Sequence, residues 1–279
     1  MQKRLQLFVL LILFAGLQQL LAGEIRERFE KTYPLKSGGE FRLKNTNGAV
    51  LITSWDRSEV KIEAEKVVRA RSRDEAERIM KEIEINIRDS ADLVDVDTRL
   101  PRRSDGGFFD WLFNGGSGTS IEVKYWITVP AQVNLSAESV NGEVRVQDIS
   151  GRADLETTNG RVEVINASGS VNAETTNGAI EVSLSKVTPG ETMRFATTNG
   201  RIEADFPPDF TADISASTTN GHVDCDFPMT VQGRIRRTSL EGRIGSGSSS
   251  SIGRVTLRTT NGSIRIVRSS RSGSPKSNL

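Results

Sequence analysis

Three observations predict an all-β fold, a repetitive β-solenoid (β-helix-like) with one short α-helix in its N-terminal part. Asn-Gly recurs along the chain at near-constant spacing. The residues flanking it alternate between apolar and polar with a period of two. Thr, Ser, Gly, Asn and Val are abundant while aromatic residues make up 6% of the 279, a composition suited to strands rather than bundled helices.

The recurrence comes first. Asn-Gly stands at Asn47-Gly48, Asn141-Gly142, Asn159-Gly160, Asn177-Gly178, Asn199-Gly200, Asn220-Gly221 and Asn261-Gly262, and Glu241-Gly242 fills the one vacant slot. From Gly142 onward the glycines follow one another at 18, 18, 22, 21, 21 and 20 residues, and five copies read Thr-Thr-Asn-Gly. A repeat this regular is one supersecondary unit stacked on itself.

The alternation sets each unit as two short strands with one apolar face. Before the glycine the inward set includes Leu155, Ala173 and Phe195, and after it Val162, Val164, Ile180 and Ile202. Asn and Gly tolerate positive φ, which suits them to the corner between the strands. A second turn joins unit to unit and absorbs the length variation, as at Pro207-Pro208-Asp209 and Ser246–Ser251. Two arrangements share this parity: a solenoid of stacked coils, and an antiparallel hairpin-repeat meander or sandwich. Repetition of the corner favours the solenoid, because Asn and Thr form ladders only when copies stack in register. Core sizes agree, since the position five before glycine reads Ala137, Leu155, Ala173, Phe195, Ala216. Against it stand Glu163, Glu181, Glu203 and Asp224, which share the outward position three after glycine and would stack acid on acid. Arg161, Arg201, His222 and Arg243, one after glycine, offset this.

The helix is read over residues 73–84, with Ser72 as its cap, Asp74, Glu75 and Glu77 in its N-terminal half, and Ala76, Ile79, Met80 and Ile83 on one face. Residues 24–130 thus form a β-rich N-terminal part with its own early copy at Asn47-Gly48. Residues 131–268 form the repeat array, and the Ser-, Lys- and Arg-rich residues 269–279 read as a disordered tail. Residues 1–23 have the grammar of a signal peptide: Lys3 and Arg4, then an uncharged Leu-rich run to Ala22. The alternative is an uncleaved anchor, which leaves membrane contact through this segment open.

Composition removes several functions. Without Lys3 and Arg4 the chain carries 35 basic and 36 acidic residues, so a nucleic-acid partner, which needs a basic face, is not expected. Cys225 is the single cysteine, which forbids an intrachain disulfide, and it reads as a buried small hydrophobe. His222 is the single histidine, so histidine-rich zinc sites are not expected and a Ser-His-Asp arrangement would have to use it. No cofactor is expected, and the chain reads as a non-enzyme.

Two groups of residues are candidates for binding. Within the Gly/Ser-rich stretch 102–120 lie Phe108, Phe109, Trp111, Leu112 and Phe113, read either as a partner or membrane contact or as a plug for the open end of the solenoid. On the outward face, Glu203, Asp205, Asp224 and Asp226 are read on adjacent units, where carboxylates could bind an ion or a glycan or cleave a polysaccharide; the alternative is a solvated face with arginine partners.

The run from Lys124-Tyr125-Trp126-Ile127-Thr128-Val129-Pro130 through Val140-Asn141-Gly142-Glu143-Val144-Arg145-Val146 to the iterated Thr-Thr-Asn-Gly resembles a bacterial β-strand-repeat family of candidate adhesins of unknown function. Asn47-Gly48, followed by Trp55-Asp56 and a short helix, fits it too, so the resemblance covers Phe41 to about Ile266. It implies an exported, envelope-associated β-repeat domain with an envelope protein or surface glycan as partner. The Phe108–Phe113 segment lies outside the recognised motif.

Overall fold

A computed structural model describes residues 23–101, 118–231, 236–246 and 252–269. Residues 1–22, read above as a signal peptide, the Phe108–Phe113 segment and the residues after Ser269 lie outside these. The N-terminal part contains β1 (Glu24–Pro34), β2 (Glu40–Lys44), β3 (Val50–Trp55), β4 (Glu59–Arg69), α1 (Arg73–Glu82), β5 (Glu84–Asp89), β6 (Leu93–Arg99) and β7 (Ser120–Pro130). The array follows with β8 (Asn134–Asn141), β9 (Val144–Gln147), β10 (Ser150–Asn159), β11 (Val162–Asn177), β12 (Ile180–Val187), β13 (Thr192–Asn199) and β14 (Ile202–Phe206). It closes with β15 (Ala212–Asn220), β16 (Val223–Cys225), β17 (Met229–Val231), β18 (Ser239–Ile244), β19 (Gly253–Asn261) and β20 (Ile264–Arg268).

The fold is a solenoid, because the copies pair in parallel rather than as hairpins. One wall stacks β6, β2, β8, β10, the second half of β11, β13, β19 and β15. The other stacks β7, β3, β9, the first half of β11, β12, β14, β20 and β16. Each Asn-Gly turns the chain from the first wall to the second. Inward residues of both walls form one continuous core from Phe41 to Ile266, and β2 and β3 pair directly with β8 and β9. At the first end the core is crossed by a buried hydrogen bond between Thr98 Oγ1 and Tyr125 OH (2.7 Å), and burial pushes the Tyr125 phenol well above its ordinary range.

The ends abandon the parallel pattern. At the start, β4 and then β1 add antiparallel to β7, and β5 adds antiparallel to β6. The helix packs against β1 and β4, burying Ala76 and Met80. It is capped as expected, Ser72 Oγ accepting from Glu75 N–H, but it ends two residues earlier, at Glu82, where Ile83 turns extended and leads into β5. At the far end β18 adds antiparallel to β15, and β17 to β18. This corrects the expectation for Glu241-Gly242, which does not form a coil. With Glu241 in place of asparagine the copy cannot join the asparagine ladder described below, and it lies antiparallel between β15 and β17, ending the parallel pattern.

The coils do not stack in chain order. The chain passes from the Asn199 coil to the Asn220 coil, yet β13 and β14 do not pair with β15 and β16. The last coil, β19–β20, lies between them. This alters the expected interleaving of core sizes. Phe195 faces Leu257, a large residue, and Leu257 faces Ala216. The same core contains an aromatic cluster in which Phe206 stacks on Phe210 at 4.1 Å and Phe210 meets Phe227 edge-on at 6.1 Å.

The Asn-Gly corner owes its asparagines to stacking rather than to positive φ. None of its asparagines has positive φ, although Gly48, Gly142 and Gly262 do; among the described non-glycine residues only Asp148 and Asn166, both at second turns, have it. Each corner glycine lies on the carbonyl of the one beneath: a Cβ on Gly160 would sit 1.9 Å from Gly142 O, one on Gly178 1.9 Å from Gly160 O, and one on Gly262 2.0 Å from Gly200 O. Asparagine builds a continuous amide ladder. Nδ2 of Asn159, Asn177, Asn199, Asn261 and Asn220 each donates to Oδ1 of the preceding asparagine, from Asn141 upward, at 2.7–2.8 Å. Threonine does not ladder on threonine. Thr157, Thr175, Thr197, Thr259 and Thr218 point inward and donate to the glycine carbonyl of the coil below at 2.8–3.1 Å.

Candidate functional site

The four acids of the second wall are not on adjacent coils. In register, Glu203 faces Arg265 and Arg265 faces Asp224, so the inserted β20 puts a guanidinium between the carboxylates. Asp205 faces Val267, and Asp226 lies 3.8 Å from Arg265. The expected acidic row is therefore divided in register by Arg265, with Glu203 and Asp205 on one side and Asp224 and Asp226 on the other. Among the described residues no group of three or more His, Cys, Asp or Glu is disposed to hold a metal.

The rest of that row is also interlocked. Glu163, Glu181 and Glu203 do stack, but Arg145 pairs with Glu163 at 2.7 Å, and Glu181 takes Arg161 at 2.7 Å and also Arg201. Burial raises the Glu181 carboxyl, but the hydrogen bonds and charges of Arg161 and Arg201 outweigh it and hold the group below the ordinary carboxylate value. One carboxylate thus joins three successive coils.

Structure brings together a set that sequence spacing could not. Ser263 Oγ lies 3.2 Å from His222 Nδ1, and His222 Nε2 lies 3.1 Å from Asp224 Oδ2. This is the Ser-His-Asp sequence of contacts, but the surroundings do not suit acyl transfer. The Asp224 side chain is 59% exposed, so water weakens its hold on the ring. The amides flanking Ser263 are used in rungs, Gly262 N–H to Asn220 O (3.0 Å) and Ile264 N–H to His222 O (2.9 Å), so neither can stabilise an oxyanion. The set ties the Asn220 coil to the inserted coil. Cys225 points inward but is half-buried; burial raises its thiol, making it a poor nucleophile.

The first wall holds an open trough of about 530 Å³ beside the corner ladder. Its outward hydroxyls come from the second threonine of each pair, Thr158, Thr176, Thr198, Thr260 and Thr219, ranked by the same rung spacing as the asparagines. Glu156, Glu174, Arg194 and Arg258 border it, with Arg194 paired to Glu174 at 2.6 Å. The signal for these residues was present in the doubling of threonine: in a period-two strand one member must face in and the next out. Trp126, 41% exposed on β7 beside Leu51 of β3, is the exposed large hydrophobic side chain of the described surface, and it carries no sequence mark that separates it from a core residue.

No curated protein matches the chain. Among solved structures, a candidate cell adhesion protein from Clostridium sporogenes is similar at 13% identity and a TM-score of 0.45, over 87% of this chain and 100% of that one. A candidate adhesin from Bacteroides fragilis is similar at 10% identity and a TM-score of 0.36, over 86% and 97% of the two chains. One from Parabacteroides distasonis is similar at 9% identity and 0.31, over 84% and 97%. The model of the Toastrack DUF4097 family matches residues 113–267. That match spans more than half of the sequence and includes every coil of the array, so this chain belongs to the Toastrack DUF4097 family.

Proposed function

We propose that this protein is exported to the cell envelope and acts there without catalysis, as an adhesin-type interaction module that offers the threonine trough to a surface partner. The observation that carries this reading is the allocation of polar groups. Inward threonines, corner asparagines and Glu163 and Glu181 of the second wall are committed to holding coils together, whereas the outward threonines, bordered by Glu156, Glu174, Arg194 and Arg258, form a continuous surface over five rungs. Such a surface suits an extended polar partner, with hydrogen bonds supplied at the rung repeat. The Ser263–His222–Asp224 set has an exposed carboxylate and lacks available oxyanion donors in the amides flanking Ser263. Export rests on the leader grammar of residues 1–23.

The test is binding of the labelled protein to isolated cell envelopes. Thr176→Lys with Thr198→Lys should reduce binding by about tenfold by filling the trough, while Ser263→Ala should leave it unchanged. Undiminished binding by the lysine variant would remove the trough from the proposal. Fractionation of cells expressing the chain with and without residues 1–23 checks export; retention of the complete chain in the cytoplasm would count against it.

A further inference from the structure

The inserted coil differs from its neighbours in charge. Residues 253–268 contain Arg254, Arg258, Arg265 and Arg268 and no acid. The coil above it, residues 212–226, contains Asp213, Asp224 and Asp226 and no lysine or arginine. The coil below, 192–206, is balanced, with Glu203 and Asp205 on the second wall. Register joins the opposites: Arg254 faces Asp213, and Arg265 lies between Glu203 and Asp224. If the Asn199 and Asn220 coils stacked directly, Glu203 and Asp205 would lie against Asp224 and Asp226. Electrostatics therefore specifies a basic coil in this slot.

Apart from these charges and the Ser263–His222 contact, the seat is built from the common rung bonds. The corner bonds at its two faces repeat those of the other rungs: Asn261 donates to Asn199 and receives from Asn220, Thr259 donates to Gly200 O, and Thr218 to Gly262 O. The coil is joined to β18 by a segment whose residues from Gly245 to Ser251 are glycine and serine alone. Nothing in the seat distinguishes the chain's own basic coil from the same coil of another copy.

We infer that the slot between the Asn199 and Asn220 coils is an interaction site for residues 253–268 of a second copy of this chain, so that the protein self-associates by reciprocal exchange of its basic coil. The exchanged pair keeps every rung contact of the monomer and gains the interface between the two bodies, the general circumstance in which exchange competes with closure.

Charge reversal tests this directly. One variant carries Glu203→Arg and Asp224→Arg, reversing the slot; the other carries Arg265→Glu, reversing the coil. Alone, each opposes its own closure. Refolded together, each coil finds a matching slot on the other copy, and native mass spectrometry should show a one-to-one heterodimer exceeding either homodimer by about tenfold. The excess should fall as salt is raised. A mixture that is the simple sum of the two separate samples overturns the inference. Should either variant fail to give the native circular dichroism spectrum, co-refolding of ¹⁴N and ¹⁵N wild-type chains decides: mixed-isotope dimers with cross-links from residues 253–268 to 212–226 of the other copy support exchange, and monomers alone at high protein concentration exclude it.

Discussion

The two corners of the solenoid obey different rules. At the Asn-Gly corner, glycine lies on glycine from Gly48 to Gly221 and an amide ladder runs beside it. At the opposite corner a comparable stack extends only from Val133 through Gly151 to Gly169, beyond which the turns diverge in length and composition. The first corner sets the register of every coil, and because it does, the second can lengthen without shifting any strand. Regularity on one edge makes variation on the other affordable in stability.

The largest expected effect comes from the glycine column. Gly178→Ala puts a methyl 1.9 Å from Gly160 O, a backbone atom that cannot swing aside, and should cost about 3 kcal/mol in denaturant unfolding as the coils are forced apart. An unchanged midpoint would show that coil spacing is soft. Asn177→Ala removes one bond to Asn159 and one from Asn199 and should cost about 2 kcal/mol; a cost as small as that of an exposed asparagine at the second corner would mean the ladder follows register without setting it. Thr197→Val, which keeps the shape but leaves Gly178 O without its hydroxyl donor, should cost about 1 kcal/mol by thermal melting. The smallest effect belongs to the second corner. Two glycines inserted between Pro189 and Gly190 should change stability by less than about 0.6 kcal/mol, and a large loss there would remove the contrast between the corners.

Acid provides a further probe of the ladder side. Glu181 is held below its ordinary value of 4.5, so its ionised form contributes stability that is complete above that pH and is lost as pH falls through the lower folded value. Glu181→Gln should lower stability at neutral pH and flatten its decline below about pH 4.5; parallel curves for the two proteins would show that the Arg161 and Arg201 contacts are not coupled to folding.

The solenoid was legible in the sequence because the corner chemistry is local: inward threonine, asparagine and glycine occupy fixed offsets, and each makes its bond to the equivalent coil beneath. The order of the coils was not legible from the same motif, since Thr-Thr-Asn-Gly is equally compatible with every rung. The clue lay in an apparent fault. Stacking Glu203 on Asp224 is unfavourable, and the chain avoids it by placing Arg265 between them. Glu241-Gly242 misled because spacing alone was counted, whereas the missing asparagine marks where the ladder stops. The contacts of Ser263 with His222 depend on the inserted coil and are beyond any reading by spacing.

The side-chain ladders also have a direction. Every Asn Nδ2 and every inward threonine hydroxyl donates toward the Asn141 end, and none of these bonds runs the other way. Their dipoles add along the long axis, each bond polarising the next. The array is thus a polar rod, with a side-chain acceptor at its Asn220 end and asparagine entered as an acceptor at Asn141. A coil joining beyond Asn220 must bring a donor, and a coil laid in reverse would break the sequence of donors and acceptors. The antiparallel β18 carries Glu241 where asparagine would stand, a side chain with no amide to offer. It ends the polar sequence as well as the parallel stack.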